Sequence, residues 1–267
     1  MTLMSPFKVG VQLQPQHSSF EDYRRAWLAA DDLGVDMILN WDHFFPLSGD
    51  PNGDHFEGWT SLAAIAPQTK NAQVGTLVLA MGYRNPALLS SMAKTLDHAT
   101  GGRFILGVGG GWAQRDYAEF GYEFGTAADR LRTLERGLAI IKERWDKDVP
   151  QPVRGTIPIL IGGGGEKVTL RITAQYADMW HGFGDAQTWG AKNEILNGWC
   201  RQIGRDPAQI ARIAPVNAES IEHVDDWIKV GATQVIYGLG APFDLAPIRQ
   251  LLEWRDRAAT VSAGSSR

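Results

Sequence analysis

Ile159-Leu160-Ile161-Gly162-Gly163-Gly164-Gly165-Glu166-Lys167 joins a β-branched run to four consecutive glycines, and a helical pattern over residues 166–177 starts directly afterwards. Four glycines in a row lose much conformational freedom on folding, so a folded enzyme keeps them where the backbone must come close to something. Bare N–H groups at a strand-to-helix turn, beside a helix N-terminus, form an anion site. The turn is not a P-loop, because no Gly-x-x-x-x-Gly-Lys-Ser/Thr spacing occurs in the chain. The dinucleotide fingerprint Gly-x-Gly-x-x-Gly is absent here as well. Two readings remain, a plain tight strand–helix turn or a cradle for the phosphate of a cofactor. The second accounts better for four glycines.

Strand-like runs and helical patterns alternate on both sides of this turn. The pattern predicts strands over residues 8–13, 36–41, 72–80, 104–108, 158–161, 177–180, 211–215 and 234–237. Helices are predicted over 20–33, 59–68, 86–99, 127–145 and 245–257, the third opening with Pro86 in its first turn. Eight such alternations favour a closed parallel TIM (β/α)8 barrel over a doubly wound sheet. The chain reads as a single domain over 1–267. Residues 146–155, rich in proline and charge, form a loop between halves, and the small, polar residues 261–267 are expected to fray.

Bulk composition bounds the function. With 267 residues, 44% hydrophobic and 21% charged, the chain is ordinary globular material. A net charge of −4 without a lysine-rich run argues against a nucleic-acid surface. Cys200 is the only cysteine, which excludes an intrachain disulfide and a cysteine metal cluster, and it reads as a packing residue in a helix. No secretory signal is visible in the first twenty residues, and no apolar run approaches a membrane span, so the chain reads as cytoplasmic. The histidines outside the strand ends, His17, His55, His98 and His223, show no metal-binding spacing.

In a parallel barrel the chemistry sits where strands end. Here those ends hold residues 12–14, Asp42-His43, residues 77–81, 107–112 and 162–167, His181, and residues 238–240. Several are glycine-rich, which leaves room for a bulky planar ligand, and the charged or titratable groups are few: Asp42, His43, Glu166, Lys167 and His181. That is a cofactor-dependent site for a small molecule rather than a hydrolase built from several side chains.

With these residues in place, the chain resembles the bacterial luciferase-like superfamily, in its F420-dependent oxidoreductase branch. The matching motifs are Asn40-Trp41-Asp42-His43-Phe44, Gly75-Thr76-Leu77-Val78-Leu79, Tyr83-Arg84-Asn85-Pro86-Ala87 and Thr95-Leu96-Asp97. They continue as Gly101-Gly102-Arg103-Phe104-Ile105-Leu106-Gly107-Val108-Gly109, the glycine turn from Pro158 to Lys167, and Tyr176-Ala177-Asp178-Met179-Trp180. The set covers most of residues 7–182 and is specific as a set. The resemblance implies a TIM barrel that binds coenzyme F420, a deazaflavin, or FMN in sister groups, and that pairs into homodimers. It also implies a non-proline cis peptide at Leu77-Val78 beneath the cofactor ring. Two departures stand out. The segment between the long fourth helix and the fifth strand is only about a dozen residues, so a substrate-covering lid from that insertion is short or missing. Trp112 replaces a glutamate, and Leu47 a tryptophan, of the branch's sugar-phosphate dehydrogenases, which argues against sugar-phosphate oxidation.

His43 is the candidate catalytic residue, because an imidazole can pass a proton at neutral pH as hydride chemistry requires. The plainer alternative is a histidine that only hydrogen-bonds the cofactor. Cofactor contacts are expected from Asp42, Leu77, Val78, Gly107, Gly109, Gly162, Gly163, Gly164, Gly165, Glu166 and Lys167. Asp42 would accept a hydrogen bond from the ring, or else cap the following turn. Lys167 would add positive charge near the phosphate, or else be an exposed first-turn lysine. Trp112 and His181 are placed at the substrate, Trp112 either walling the cavity or filling core. The expected activity is hydride transfer between F420 and a small organic substrate. An FMN-dependent monooxygenase of the same superfamily, or a non-catalytic flavin- or deazaflavin-binding protein, is the alternative.

Overall fold

Val9, Val11 and Leu13 have no exposed surface while Lys8 points outward, and this run forms the first strand, β1 (Lys8–Leu13). The computed structural model describes residues 7–264. The remaining strands are β2 (Met37–Asn40), β3 (Gln73–Thr76), β4 (Leu79–Ala80), β5 (Phe104–Gly109), β6 (Ile159–Gly162), β7 (Met179–His181), β8 (Ala211–Val216) and β9 (Gln234–Leu239). All pair in parallel, in the order β3-β2-β1-β9-β8-β7-β6-β5-β4, and β3 also pairs with β5, which closes the ring. The strand predicted over 72–80 is therefore two pieces, β3 and β4, separated by Leu77-Val78, and their peptide is cis. Counted as one stave, they give the closed eight-stranded barrel.

The helices are α1 (Phe20–Leu33), α2 (Gly58–Ile65), α3 (Pro86–Ala99), α4 (Gln114–Glu119), α5 (Ala127–Lys147), α6 (Thr169–Tyr176), α7 (Ala186–Gln202), α8 (Val224–Lys229) and α9 (Ala246–Gly264). Local chemistry sets their ends. The Ser19 hydroxyl accepts from Asp22 N–H at the start of α1, and Gly34, at φ 89°, ends it. Asn85 caps α3 with Pro86 at its first position. Thr126 and Asp129 form a reciprocal capping box on α5. Apolar packing occurs in two layers. Met37, Leu39, Leu77, Ile105, Leu160, Met179, Ile213 and Ile236 fill the barrel, and a larger cluster lies between sheet and helices. Cys200, fully buried on α7, belongs to that outer layer.

Three differences from the pattern bear on the site and the chain end. α6 begins at Thr169, three residues after the predicted start at 166, because Val168 has a non-helical ψ–φ pair (φ −120°, ψ −54°) and offers no side-chain cap. The intervening Glu166 is drawn toward α7, where its carbonyl accepts from Trp199 Nε1 at 2.8 Å and its carboxylate pairs with Lys192. α4 occupies a stretch that glycine richness marked as a turn. α9 extends to Gly264, into the segment expected to fray, and residues 265–267 lie outside the described residues. No helix among the described residues is long and apolar enough to cross a membrane.

Candidate functional site

A cavity of about 460 Å³ opens at the C-terminal ends of the strands. Its floor is the Leu77-Val78 peptide, where Leu77 N–H donates to the Asn40 carbonyl and the Leu77 carbonyl accepts from Gln12 Nε2, both at 2.6 Å. Val78 rises between two glycines. A Cβ on Gly109 would stand 2.9 Å from Val78 Cγ2, and one on Gly162 would stand 3.1 Å from Cγ1. Larger residues at either position would close the space over the floor. Gly107 corrects the sequence reading. It does not line the cavity, and a Cβ there would meet the Thr76 carbonyl at 1.7 Å, so this glycine serves strand packing rather than a ligand.

His43 lines the cavity and directs Nδ1 to Asp116 Oδ2 at 2.6 Å. A carboxylate only accepts, so Nδ1 carries the proton and Nε2 is left as the ring's acceptor nitrogen. Asp116, on α4, is almost wholly buried and also accepts from the Tyr83 hydroxyl at 3.2 Å and Phe44 N–H at 3.4 Å. Burial, with the Asp116 carboxylate alongside, pushes the Tyr83 phenol far above its ordinary range, so it stays a proton donor in this network. Asp116 was missed in the sequence because it stands 73 residues from His43, and only the closing of the barrel brings the strand-two and strand-five loops together.

The Asp42 carboxylate has no exposed surface, and Arg84 grips it with Nη1 at 2.6 Å from Oδ2 and Nη2 at 2.9 Å from Oδ1. Arg84 also reaches Glu57 at 2.7 Å, whose carboxylate caps α2. Asp42 lines the cavity, and the bidentate pair also makes it a brace of the wall. Extended backbone turns adjacent side chains to opposite sides, so the neighbours Asp42 and His43 find separate partners.

His181 is buried at the cavity wall, and its Nδ1 has no hydrogen-bond partner. Burial depresses its pKa to about 4, so the ring is neutral at pH 7. Above it, Phe183 meets the ring edge-on at 4.9 Å, and across the mouth Trp112 meets His43 edge-on at 5.4 Å. Trp112 is 66% exposed, so it walls the cavity and is not core filler.

The glycine turn splits into two parts. Gly162 and Gly163 line the cavity, and Gly163 adopts φ 128°, which a side chain would resist. Gly163 N–H donates to the His181 carbonyl at 3.0 Å, while its own carbonyl accepts from Trp180 Nε1 at 2.8 Å, fixing the turn to β7. Gly164, Gly165, Glu166 and Lys167 continue past the cavity. Among the described residues, their N–H groups meet no protein acceptor. Lys167 is exposed, and Glu166 is paired with Lys192. The positive charge lying against the turn is therefore Lys192, whose Cδ would stand 3.9 Å from a Cβ on Gly164. Nothing in the sequence signals Lys192, since it belongs to the next helix.

A wider groove of about 890 Å³ lies at the opposite ends of β8 and β9. Its buried Arg212 is engaged by Asn193, Asn197 and the Ile210 carbonyl, and Asp178, Glu194 and Lys229 also line the groove.

The sequence model of the luciferase-like monooxygenase family matches residues 1–228. A protein of Amycolatopsis mediterranei named F420-dependent glucose-6-phosphate dehydrogenase is 32% identical over 145 residues, which are 53% of this chain and 42% of that protein. The 4-hydroxyprotoasukamycin monooxygenase of Streptomyces nodosus subsp. asukaensis is 34% identical over 161 residues, 55% of this chain and 40% of that protein. The matches thus span about two fifths of the length of these relatives. The solved structure of an F420-dependent secondary alcohol dehydrogenase in complex with an F420-acetone adduct superposes with a TM-score of 0.82 at 15% identity, over 93% of this chain and 98% of that one, which shows a shared fold.

Proposed function

The chain belongs to the luciferase-like monooxygenase family, and from that premise we propose that it is an F420-dependent oxidoreductase acting on a small organic substrate. The observation that carries the reading is the His43–Asp116 pair set above the Leu77-Val78 floor, a proton-transfer group facing a cavity cleared by Gly109 and Gly162. The residues present fit a phosphate-bearing flavin-like cofactor. Val78 and the two glycines offer a flat, open bed for a ring. The unbonded N–H groups of Gly164–Lys167 offer donors for a phosphate, and Lys192, paired with Glu166, lies beside them. A bound deazaflavin supplies or takes up a hydride.

The protein's own part is orientation and proton handling. Asp116 fixes the His43 tautomer, so Nε2 can take a proton from a substrate hydroxyl or, once protonated, give one to a carbonyl oxygen. The Asp42–Arg84–Glu57 chain ties the loop after β2 to α2 and holds His43 in place. The monooxygenase relative supports a second reading, an FMN enzyme that uses oxygen. Stopped-flow spectroscopy separates the readings. Protein mixed with reduced F420 and a ketone should regenerate the oxidised-F420 absorbance without consuming oxygen. An oxygenated product formed with reduced FMN and oxygen, and absent without the protein, would select the monooxygenase, and no turnover with either cofactor would leave a carrier protein.

A further inference from the structure

Trp112 and Phe183 are each 66% exposed, yet both line the cavity mouth. They come from separate loops, after β5 and after β7, and each sits edge-on over one of the cavity's two histidines. Inside the mouth, polar atoms are largely committed. Gln12 is bonded to the floor, and Asp42 to Arg84. Among the described residues, Arg130 is the cavity's only lysine or arginine. Its guanidinium donates to the carbonyls of Gly111, Phe124 and Gly125 and lies 3.9 Å over the Phe124 ring. Arg130 keeps its charge, but three of its five N–H donors are spent on these carbonyls, so a phosphate or carboxylate on the substrate would give up its water for at most the Nη2 edge of one cation. Leu47, Leu79, Ala80 and Leu131 make an apolar stretch of the wall, which Tyr83 and Thr169 interrupt.

We propose that this site takes an uncharged substrate with a flat apolar body and a single carbonyl or hydroxyl, the body held by Trp112 and Phe183 and the oxygen reaching His43. The inference rests on the cofactor reading above. Reduction of such a carbonyl would need a hydride at its carbon, which a bound reduced deazaflavin would supply, and a proton at its oxygen, which His43 would give. The products are the alcohol and oxidised cofactor. Edge-on and stacked aromatic contacts favour a planar partner, and filling the mouth would also remove two large rings from water. The glucose-6-phosphate dehydrogenase relatives therefore share the family with this chain but not the substrate.

The test is calorimetric titration of protein loaded with oxidised F420, where no reduction can occur, with 2-acetylnaphthalene, acetone and glucose 6-phosphate. The flat ketone should bind at least about tenfold tighter than acetone, and the sugar phosphate should show no competing binding. Trp112→Ala and Phe183→Ala should each weaken 2-acetylnaphthalene about tenfold, with F420 affinity and melting temperature unchanged. Tighter binding of glucose 6-phosphate, or wild-type affinity in both variants, would overturn the proposal. So would variants that change only the sedimentation of the protein, since that would make the two rings a contact between copies. If F420 itself does not bind, the cofactor reading fails separately, and the same titrations on the free protein still decide the ligand class.

Discussion

Asp42 and His43 are neighbours in the chain but part company in the fold. His43 takes Asp116 and Asp42 takes Arg84, so the acid that sets the imidazole's tautomer comes from another loop. His43→Ala should lower turnover by about 10²–10⁴, the range for general acid–base groups, with cofactor affinity little changed. Asp116 does not line the cavity and would act through the histidine. Asp116→Asn should lower kcat by about tenfold or more and displace the histidine limb of the pH–rate profile, whereas Asp116→Glu restores both in part. An unchanged pH profile in Asp116→Asn would reduce the contact to packing. That His43, Gly162, Gly163, Val78 and Trp112 gather around one cavity was legible, because strand ends in a parallel barrel share one face. Asp116 and Lys192 were not, because their contacts exist only across the assembled ring.

Elements explain why glycines that look alike in the sequence do different jobs. Gly107 sits inside β5 against the Thr76 carbonyl, while Gly164 lies in an open turn with its nearest neighbour 3.9 Å away. Gly107→Ala should therefore destabilise the barrel by several kcal/mol, in the range of severe overpacking, read as a large fall in melting temperature. Gly164→Val should fold normally but weaken cofactor binding, because a β-branched side chain would stand where a phosphate approaches. Equal F420 affinity in a folded Gly164→Val protein would exclude that turn as the phosphate cradle. Helix starts with strong caps, at Ser19, Asn85 and Thr126, fell where the sequence placed them. The start of α6 did not, because Trp199 and Lys192, far along the chain, hold Glu166 out of the helix. The glycines before α4 likewise hid a two-turn helix that carries Asp116.

At the scale of the whole molecule, alternation and glycine placement were enough to indicate a closed barrel, since parallel strands with crossover helices leave few other arrangements. The interruption at Leu77-Val78 is invisible to periodicity and was expected only through family resemblance. Two histidines, His181 buried and His55 half-buried, tie global stability to pH. Burial holds His181 near pKa 4 and, with His43 nearby, holds His55 near the same value, against about 6.5 for a free ring. Because the unfolded chain takes up these protons first, their contribution is complete above about pH 6.5 and is lost as pH falls toward 4. For His181 the loss amounts to at most about 3 kcal/mol. Melting temperature should fall across that window in the wild type, and less steeply in His181→Phe. Parallel curves for the two proteins would show that His181 does not carry the charge cost.

The account turns on the cavity being a deazaflavin site. Its most direct test is the calorimetric titration of the purified protein with F420 and, separately, with FMN. The account predicts one F420 per chain bound more tightly than FMN, with Gly164→Val weakening the F420 complex while the fold is retained. Preferential binding of FMN would contradict it and move the chain to the oxygen-using side of its family.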